Sequence, residues 1–301
     1  MSSSTTPETN LIQEQAIVRL QALGGRLNGW ADRPPTEPSH WLAAIAELIR
    51  KTLVITELEV RKLRHDPSDL FLRAAQPTLW LLIFGQVFTR LRGIPTGNLP
   101  YLDFMAAGIL AQSVLFVAIF SGGMSIIWER DLGIVHKFLV SPTPRAAMVL
   151  GKALSSGIRS LSQVAIVYLL SWLLGVKLNL HPFAITGVIF VVLLGAACFS
   201  IFSLIVACLV KSRERFNGFG QLMTMPLFFA SNAIYPIALM PAWLQVLSHL
   251  NPLTYQVDAL RGVMLANSQT TYGFGLDCAI LLLTVTVLTA ICARLYPNVG
   301  M

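Results

Sequence analysis

Six stretches of this chain are apolar enough to sit in a lipid bilayer, and each carries almost no charge. They are Leu70–Thr89, Asp103–Ile127, Leu161–Val176, Phe183–Val210, Phe219–Met240 and Leu276–Ala293. A hydrocarbon core of about 30 Å takes roughly 20 helical residues to cross. The shortest stretch reaches that length if it extends backward through Arg159, whose long side chain can snorkel to the near interface. Backbone polar groups find no water in hydrocarbon, so such segments form helices, and Pro77 is tolerated in the first as a kink. The expected fold is an all-α membrane protein with six transmembrane helices.

Composition excludes the soluble alternative. Hydrophobic residues make up 54% of the 301 and charged residues 12%, against roughly 25% charge in soluble domains. A globule of this size would lack the polar skin it needs. The net charge of +7 is spread over several loops without a basic, aromatic-interleaved patch, so nucleic acid is not the partner it implies. Cys198, Cys208, Cys278 and Cys292 all lie in apolar segments without a CxxC pair, the pattern of small core residues rather than metal or redox centres.

The remaining charge is concentrated early: residues 1–73 hold nine Lys/Arg and nine Asp/Glu. Residues 1–38, with Gly24-Gly25 and Pro34, Pro35 and Pro38, read as a flexible cytoplasmic tail without the charged-then-apolar pattern of a secretory signal. Residues 39–65 read as an amphipathic helix. Trp41, Leu42, Ile45, Leu48, Ile49, Leu53, Val60 and Leu63 form one stripe, and Glu47, Arg50, Lys51, Glu57, Glu59, Arg61, Lys62 and Arg64 the other face. Such a helix suits the membrane interface, or, as a soluble helix, the surface of another domain. Residues 66–301 hold the six spans. Between the last two, 241–271 is too polar and proline-marked to cross, and reads as short re-entrant helices in the outer leaflet.

Orientation follows from Lys and Arg. With the N-terminus inside, the cytoplasmic side receives the nine early cations, Arg130, Lys137, Arg145, Lys152, Lys211, Arg213, Arg215 and Arg294. The outside receives only Arg90, Arg92, Lys177 and Arg261. Both termini are expected in the cytoplasm.

No chemistry of its own is visible. The five histidines (His40, His65, His136, His181, His249) sit in loops or near segment ends, never as HExxH, and no GxSxG elbow occurs. Buried charges that mark ion-coupled carriers or intramembrane enzymes are missing midway through the spans. Gly151-Lys152 lacks the preceding glycine and following Ser/Thr of a P-loop. Uphill transport would need energy from another chain.

The loop between the second and third spans carries Glu129, Arg130, Asp131, Gly133, His136, Lys137, Phe138 and Leu139, then Ser141-Pro142-Thr-Pro144-Arg145 and Gly151-Lys152. On its own it reads as a short amphipathic helix stopped by prolines, docked in a partner's groove or resting on head groups. It resembles the cytoplasmic loop of type-2 ABC exporter permeases: Glu-Arg, two residues, Gly, a short apolar-basic helix, Ser-Pro and Gly-Lys. Tyr235-Pro236, Trp243, Asn251-Pro252, Tyr255 and Arg261 resemble that family's signature around the outer re-entrant helices. Leu-Val-Ser-Pro-Thr-Pro-Arg is similar to the daunorubicin or multidrug-resistance branch.

The resemblance implies a bacterial inner-membrane permease subunit for efflux of an amphipathic drug, lipid or glycolipid. The alternative within the class is export of a polysaccharide or lipid-linked glycan; an intramembrane enzyme or a channel are the readings outside it. It implies a dimer of permeases, as homodimer or heterodimer, on two ABC ATP-binding subunits. ATP and Mg would be bound by those subunits and no cofactor or metal by this chain, which would not be an enzyme. Residues 39–65 and 129–145 would meet the ATPases. The substrate path would run between the copies, along Gln112, Ser113 and Phe116 of the second span and Met223, Phe228, Phe229, Ser231, Asn232 and Tyr235 of the fifth, each of which has packing as its ordinary alternative.

Overall fold

The 31-residue helix Tyr101–Asp131 is the axis on which the rest packs. The computed structural model describes residues 40–63, 75–85, 87, 99–133, 144–210, 212–266 and 268–296. In chain order the helices are α1 (His40–Leu63), α2 (Ala75–Gly85, its last six residues in π-helical winding), α3 (Tyr101–Asp131), α4 (Arg145–Leu173), α5 (Pro182–Leu209), α6 (Arg213–Phe229), α7 (Ala242–Leu250), α8 (Pro252–Met264) and α9 (Phe274–Leu295). Among the described residues the secondary structure is helical apart from one isolated bridge, and α3, α4, α5 and α9 are long and apolar enough to cross a membrane. The chain divides into Met1–Glu47 and Leu48–Met301; all packing below lies within the second unit. The tail expected over 1–38 and the start of the expected first span lie outside the described residues.

α3 is buried over most of its length and touches α2, α4, α5, α6 and α8. Small residues make such close approach feasible where no water drives helices together. A Cβ at Gly122 would meet Ser200 of α5 at 2.5 Å, and one at Gly108 would collide with the backbone of Ala233. Ser203 of α5 locks the crossing: its Oγ donates to the Ile119 carbonyl and accepts from the Gly123 N–H at 3.1 Å.

The second, fourth and sixth expected spans correspond to α3, α5 and α9 to within a few residues. The third needs correction, because its helix starts at Arg145 and runs unbroken to Leu173. It stops before Val176 because Gly175, at φ 80°, turns the chain so that the Val176 N–H closes on the Ser171 carbonyl, a left-handed C-terminal cap. The fifth also departs from expectation. α6 begins at Arg213, capped by Ser212, whose Oγ accepts from the Arg215 N–H at 3.3 Å, and it ends at Phe229 rather than Met240. Pro236 disfavours helix at Tyr235. The freed carbonyls find other donors: Ser231 Oγ reaches Phe228 and the Tyr235 hydroxyl reaches Phe229, both at 2.7 Å.

Short as it is, α6 with its following turn runs the full length of α3. Arg213 pairs with Asp131 at one end, Phe216 and Gly220 pack against Gly123 and Phe120 midway, and the Tyr101 hydroxyl donates to Ile234 at the other end. The 3₁₀ turn Ile237–Leu239 falls where the fifth span was expected to continue, and α7 and α8 are short helices within 241–271. The linker of α4 and α5 is tied to the end of α8 by the bridge Leu178–Leu265, with the Asn179 N–H donating to Met264 at 2.8 Å.

Candidate coupling site and aromatic wall

At the Asp131 end of α3, four helices are joined through the Glu-Arg-Asp run. Glu129 points inward and is buried. Lys152 Nζ of α4 donates to its Oε1 at 2.6 Å and to Ser125 Oγ at 3.2 Å, with both charged side chains about 5% exposed. Arg130 donates to the Val210 carbonyl at the end of α5 at 3.0 Å. Asp131 meets Arg213 of α6 at 3.2 Å, and that guanidinium lies 3.9 Å over the Trp128 ring. This last pair is half exposed, so it contributes about 1 kcal/mol at most. The Glu129–Lys152 pair is different: desolvated charges hold each other, and removal of either takes a close opposite charge from the buried other.

Gly133, at φ 67°, takes the left-handed conformation at the end of α3. Residues 134–143 lie outside the described residues, and with them the expected contacts of His136, Lys137, Phe138 and Leu139. Arg145 is exposed at the start of α4, behind Pro144.

The neighbouring Gly151 is where α1 lands. A Cβ there would stand 2.7 Å from Ile55 and 3.1 Å from the Thr52 carbonyl. Thr56 Oγ1 donates to the Gly151 carbonyl at 3.2 Å. The Gly-Lys dipeptide therefore does two jobs: the glycine seats α1, and the lysine ties α4 to α3. Around this contact Ile49, Leu53 and Val54 of α1 remain more than half exposed, an apolar face that the other described residues leave uncovered.

The nine expected path residues fall into separate places. Gln112, Ser113 and Phe116 line a small open cleft with Gln76 and Pro77 of α2. Met223 lines a second groove, between α3, α5 and α6, with Phe202, Phe216 and Phe219. Phe228 and Phe229 join Trp80 and Phe84 in an aromatic wall, with Trp80 stacked on Phe84 at 4.5 Å and edge-on to Phe228 at 5.7 Å. Ser231, Asn232 and Tyr235 shape the turn after α6; the first two are buried.

The re-entrant signature is structural at close range. Asn251 caps α8 by accepting from the Leu253 N–H, while its amide donates to Leu227 at 2.7 Å, and Pro252 follows as the first helical residue. The Tyr255 hydroxyl donates to the His249 carbonyl at 2.8 Å, and Trp243 is exposed on α7. Arg261 is buried, donates to the Asn232 carbonyl at 2.9 Å and lies 3.7 Å over the Phe104 ring. Burial pushes its pKa down to about 10, partly offset by Asp258, so it stays charged at neutral pH. Sequence reading overlooked Asp258, whose carboxylate accepts from the Thr271 and Tyr272 N–H groups at 2.6 and 3.0 Å. Its place three residues before Arg261 was the available signal. Trp80 and Gln76 were overlooked too, being indistinguishable from other residues of an apolar run.

The sequence pattern of a family described as ABC-2 type transporter matches residues 50–265, from within α1 to the end of α8. The chain belongs to that family. The resemblance read from the loop and re-entrant motifs is thus borne out, and the protein is a multi-pass ABC-2 transport permease subunit. Such permeases work with an ABC ATP-binding subunit. Among relatives, a Cyanophora paradoxa protein named as a transport permease, ycf38, is 30% identical over 71% of this permease and 73% of its own length. The daunorubicin resistance ABC transporter permease protein DrrB1 of Streptomyces coeruleorubidus is 25% identical over 85% and 89%. The inner membrane transport permease YadH of Escherichia coli K12 is 26% identical over 73% and 80%.

Proposed function

We propose that this permease is the membrane half of an ATP-driven exporter in a bacterial inner membrane, two copies standing on two ATP-binding subunits that hold the ATP and Mg. Each copy crosses six times with both termini in the cytoplasm. α2 and α6 supply the first and fifth crossings; the reach of α6 along all of α3 supports the latter. The observation that carries the proposal is the joint at Gly151 and Lys152. It fastens α1, α3 and α4 beside the loop 129–145, so a push on that loop from an ATPase moves three helices together. Phe138 or Leu139 fills an apolar groove on the ATPase, Arg130 and Lys137 lie at the rim, and the uncovered face of α1 meets the same partner or the head groups beside it.

The cargo is an amphipathic drug, lipid or glycolipid. The wall of Trp80, Phe84, Phe228 and Phe229 offers aromatic surface rather than charge, and a relative aligned over most of the chain is named for daunorubicin resistance. The test is reconstitution in liposomes with and without the ATPase. Transport should need the ATPase, and amphipathic drugs or lipids should stimulate hydrolysis. Transport by the permease alone overturns the energy assignment. Stimulation by lipid-linked glycans alone overturns the cargo.

A further inference from the structure

The small cleft between α2 and α3 puts amide groups deep inside a bundle that is otherwise apolar. Its lining residues, Gln76, Pro77, Gln112, Ser113 and Phe116, carry no charge. Gln112 is 3% exposed, yet its carboxamide has no hydrogen-bond partner among the described residues. Folded chains ordinarily pair a polar group withdrawn this far from water. Beside it, Ser113 Oγ donates to the Ile109 carbonyl at 2.7 Å, which leaves the oxygen able to accept a further hydrogen bond. The rings stand next to the amides. Phe116 follows Gln112 by one turn of α3 and lies 4.6 Å from Phe120. Trp80 follows Gln76 by one turn of α2 and belongs to the aromatic wall with Phe84 and Phe228. Residues four apart share a helix face, so each glutamine is continued by an aromatic ring.

We propose that this cleft is the polar subsite of the cargo path and takes the uncharged, hydroxyl-bearing part of an amphipathic cargo, whose apolar body lies on the neighbouring rings. The inference rests on the exporter reading given above and narrows its cargo. A carboxamide both donates and accepts, and so does a hydroxyl, so the two glutamines match a hydroxyl in either role. An ammonium or a phosphate would meet no opposite charge among the lining residues, and burying it unpaired is unfavourable. A bare acyl chain would leave the Gln112 amide without a partner. The sugar head of a glycolipid and the hydroxyls of a neutral aromatic drug share the chemistry that fits.

The experiment places the full chain in nanodiscs at neutral pH, without ATPase. It measures equilibrium binding of a naphthalenediol, its dimethyl ether and tetraphenylphosphonium. A monoglucosyl diacylglycerol or its permethylated form, doped into the disc, competes for the diol. The diol should bind about tenfold more tightly than its ether, the worth of one or two hydrogen bonds. Gln112→Leu should abolish that difference while leaving the ether and tetraphenylphosphonium unchanged, and Gln76→Leu should shift the diol in the same direction. Gln112→Leu should also melt no lower than wild type, since the amide it removes has no partner; a lower midpoint makes Gln112 a structural residue and overturns the subsite. Displacement by the glucosyl lipid but not its permethylated form supports a lipid head group as the source, and displacement by neither supports a soluble hydroxylated compound. Equal binding of diol and ether, or a difference that survives Gln112→Leu, means that the cleft holds water only and overturns the proposal. Weaker tetraphenylphosphonium binding by Gln112→Leu overturns the preference for uncharged groups. Binding is read without ATP hydrolysis, so a bound diol with no ATP-dependent transport overturns the exporter reading alone.

Discussion

Lys152→Met should destabilise the permease out of proportion to its conservative shape. The methionine keeps the unbranched stem and the packing against α3 but removes the ammonium that sits 2.6 Å from Glu129 Oε1. Glu129 is 4% exposed and in the interior of the helix bundle, where water cannot replace the lost partner. Removing one member of a buried pair costs about 3–5 kcal/mol, whereas replacing both with apolar residues of similar volume is often neutral or better. At about 2 °C per kcal/mol, the low end of the range because the chain is long, the single variant should melt roughly 5–10 °C below wild type. Glu129→Leu should cost a similar amount by removing the carboxylate closest to the buried Lys152 ammonium, and the double variant should recover most of both losses. The assay is the thermal midpoint of detergent-solubilised protein, followed by size-exclusion, for the four members of the cycle. If the two single effects simply add in the double variant, the charges do not act as a pair and the joint between α3 and α4 rests on packing alone.

Gly151→Leu should loosen α1 by overpacking against Ile55, at about 1–3 kcal/mol, read as faster proteolysis between residues 63 and 75; unchanged cleavage removes α1 from the joint. Arg261→Lys should lose the flat contact with Phe104 and reach the Asn232 carbonyl poorly, lowering stability by about 2 kcal/mol in the same melting assay. Full stability would mean that charge alone matters there. Phe138→Ala should weaken ATPase recruitment by about 2 kcal/mol while Lys137→Ala does far less, since buried anchors outweigh rim charges; equal effects in pull-down would place the anchor elsewhere.

The parts of the fold legible in sequence are those where one rule decides. α3, α5 and α9 are long apolar runs ended by prolines, glycines or charges, and hydropathy alone finds them. α4 misled because Lys152 and Arg159 interrupt the run. Lys152 is nevertheless buried, its partner being supplied by another helix, and hydropathy has no means of scoring a partner. α6 misled because the apolar run continues past Phe229, whereas Pro236 and the side chains of Ser231 and Tyr235 end the helix. The motifs were found, but their meaning was only half visible. The Glu-Arg-Asp run read as a surface for docking, and the structure turns Glu129 inward. Asn251 and Arg261 were recognised as a signature, yet their partners, the carbonyls of Leu227 and Asn232, are backbone groups that no side-chain pattern announces.

The small bridge between Leu178 and Leu265 bears on how the chain is made. Its first half leaves the ribosome with the loop after α4, and its second half only when α8 is complete. Until then the Asn179 N–H and the Lys177 carbonyl, which later receives the Ala266 N–H at 3.0 Å, have water as their only partner. α4 and α5 can therefore form before α8 exists, but the linker between them cannot be fastened until α8 arrives. A nascent chain stalled between α6 and α8 would leave residues 177–179 unlatched, with backbone groups that the finished permease has paired.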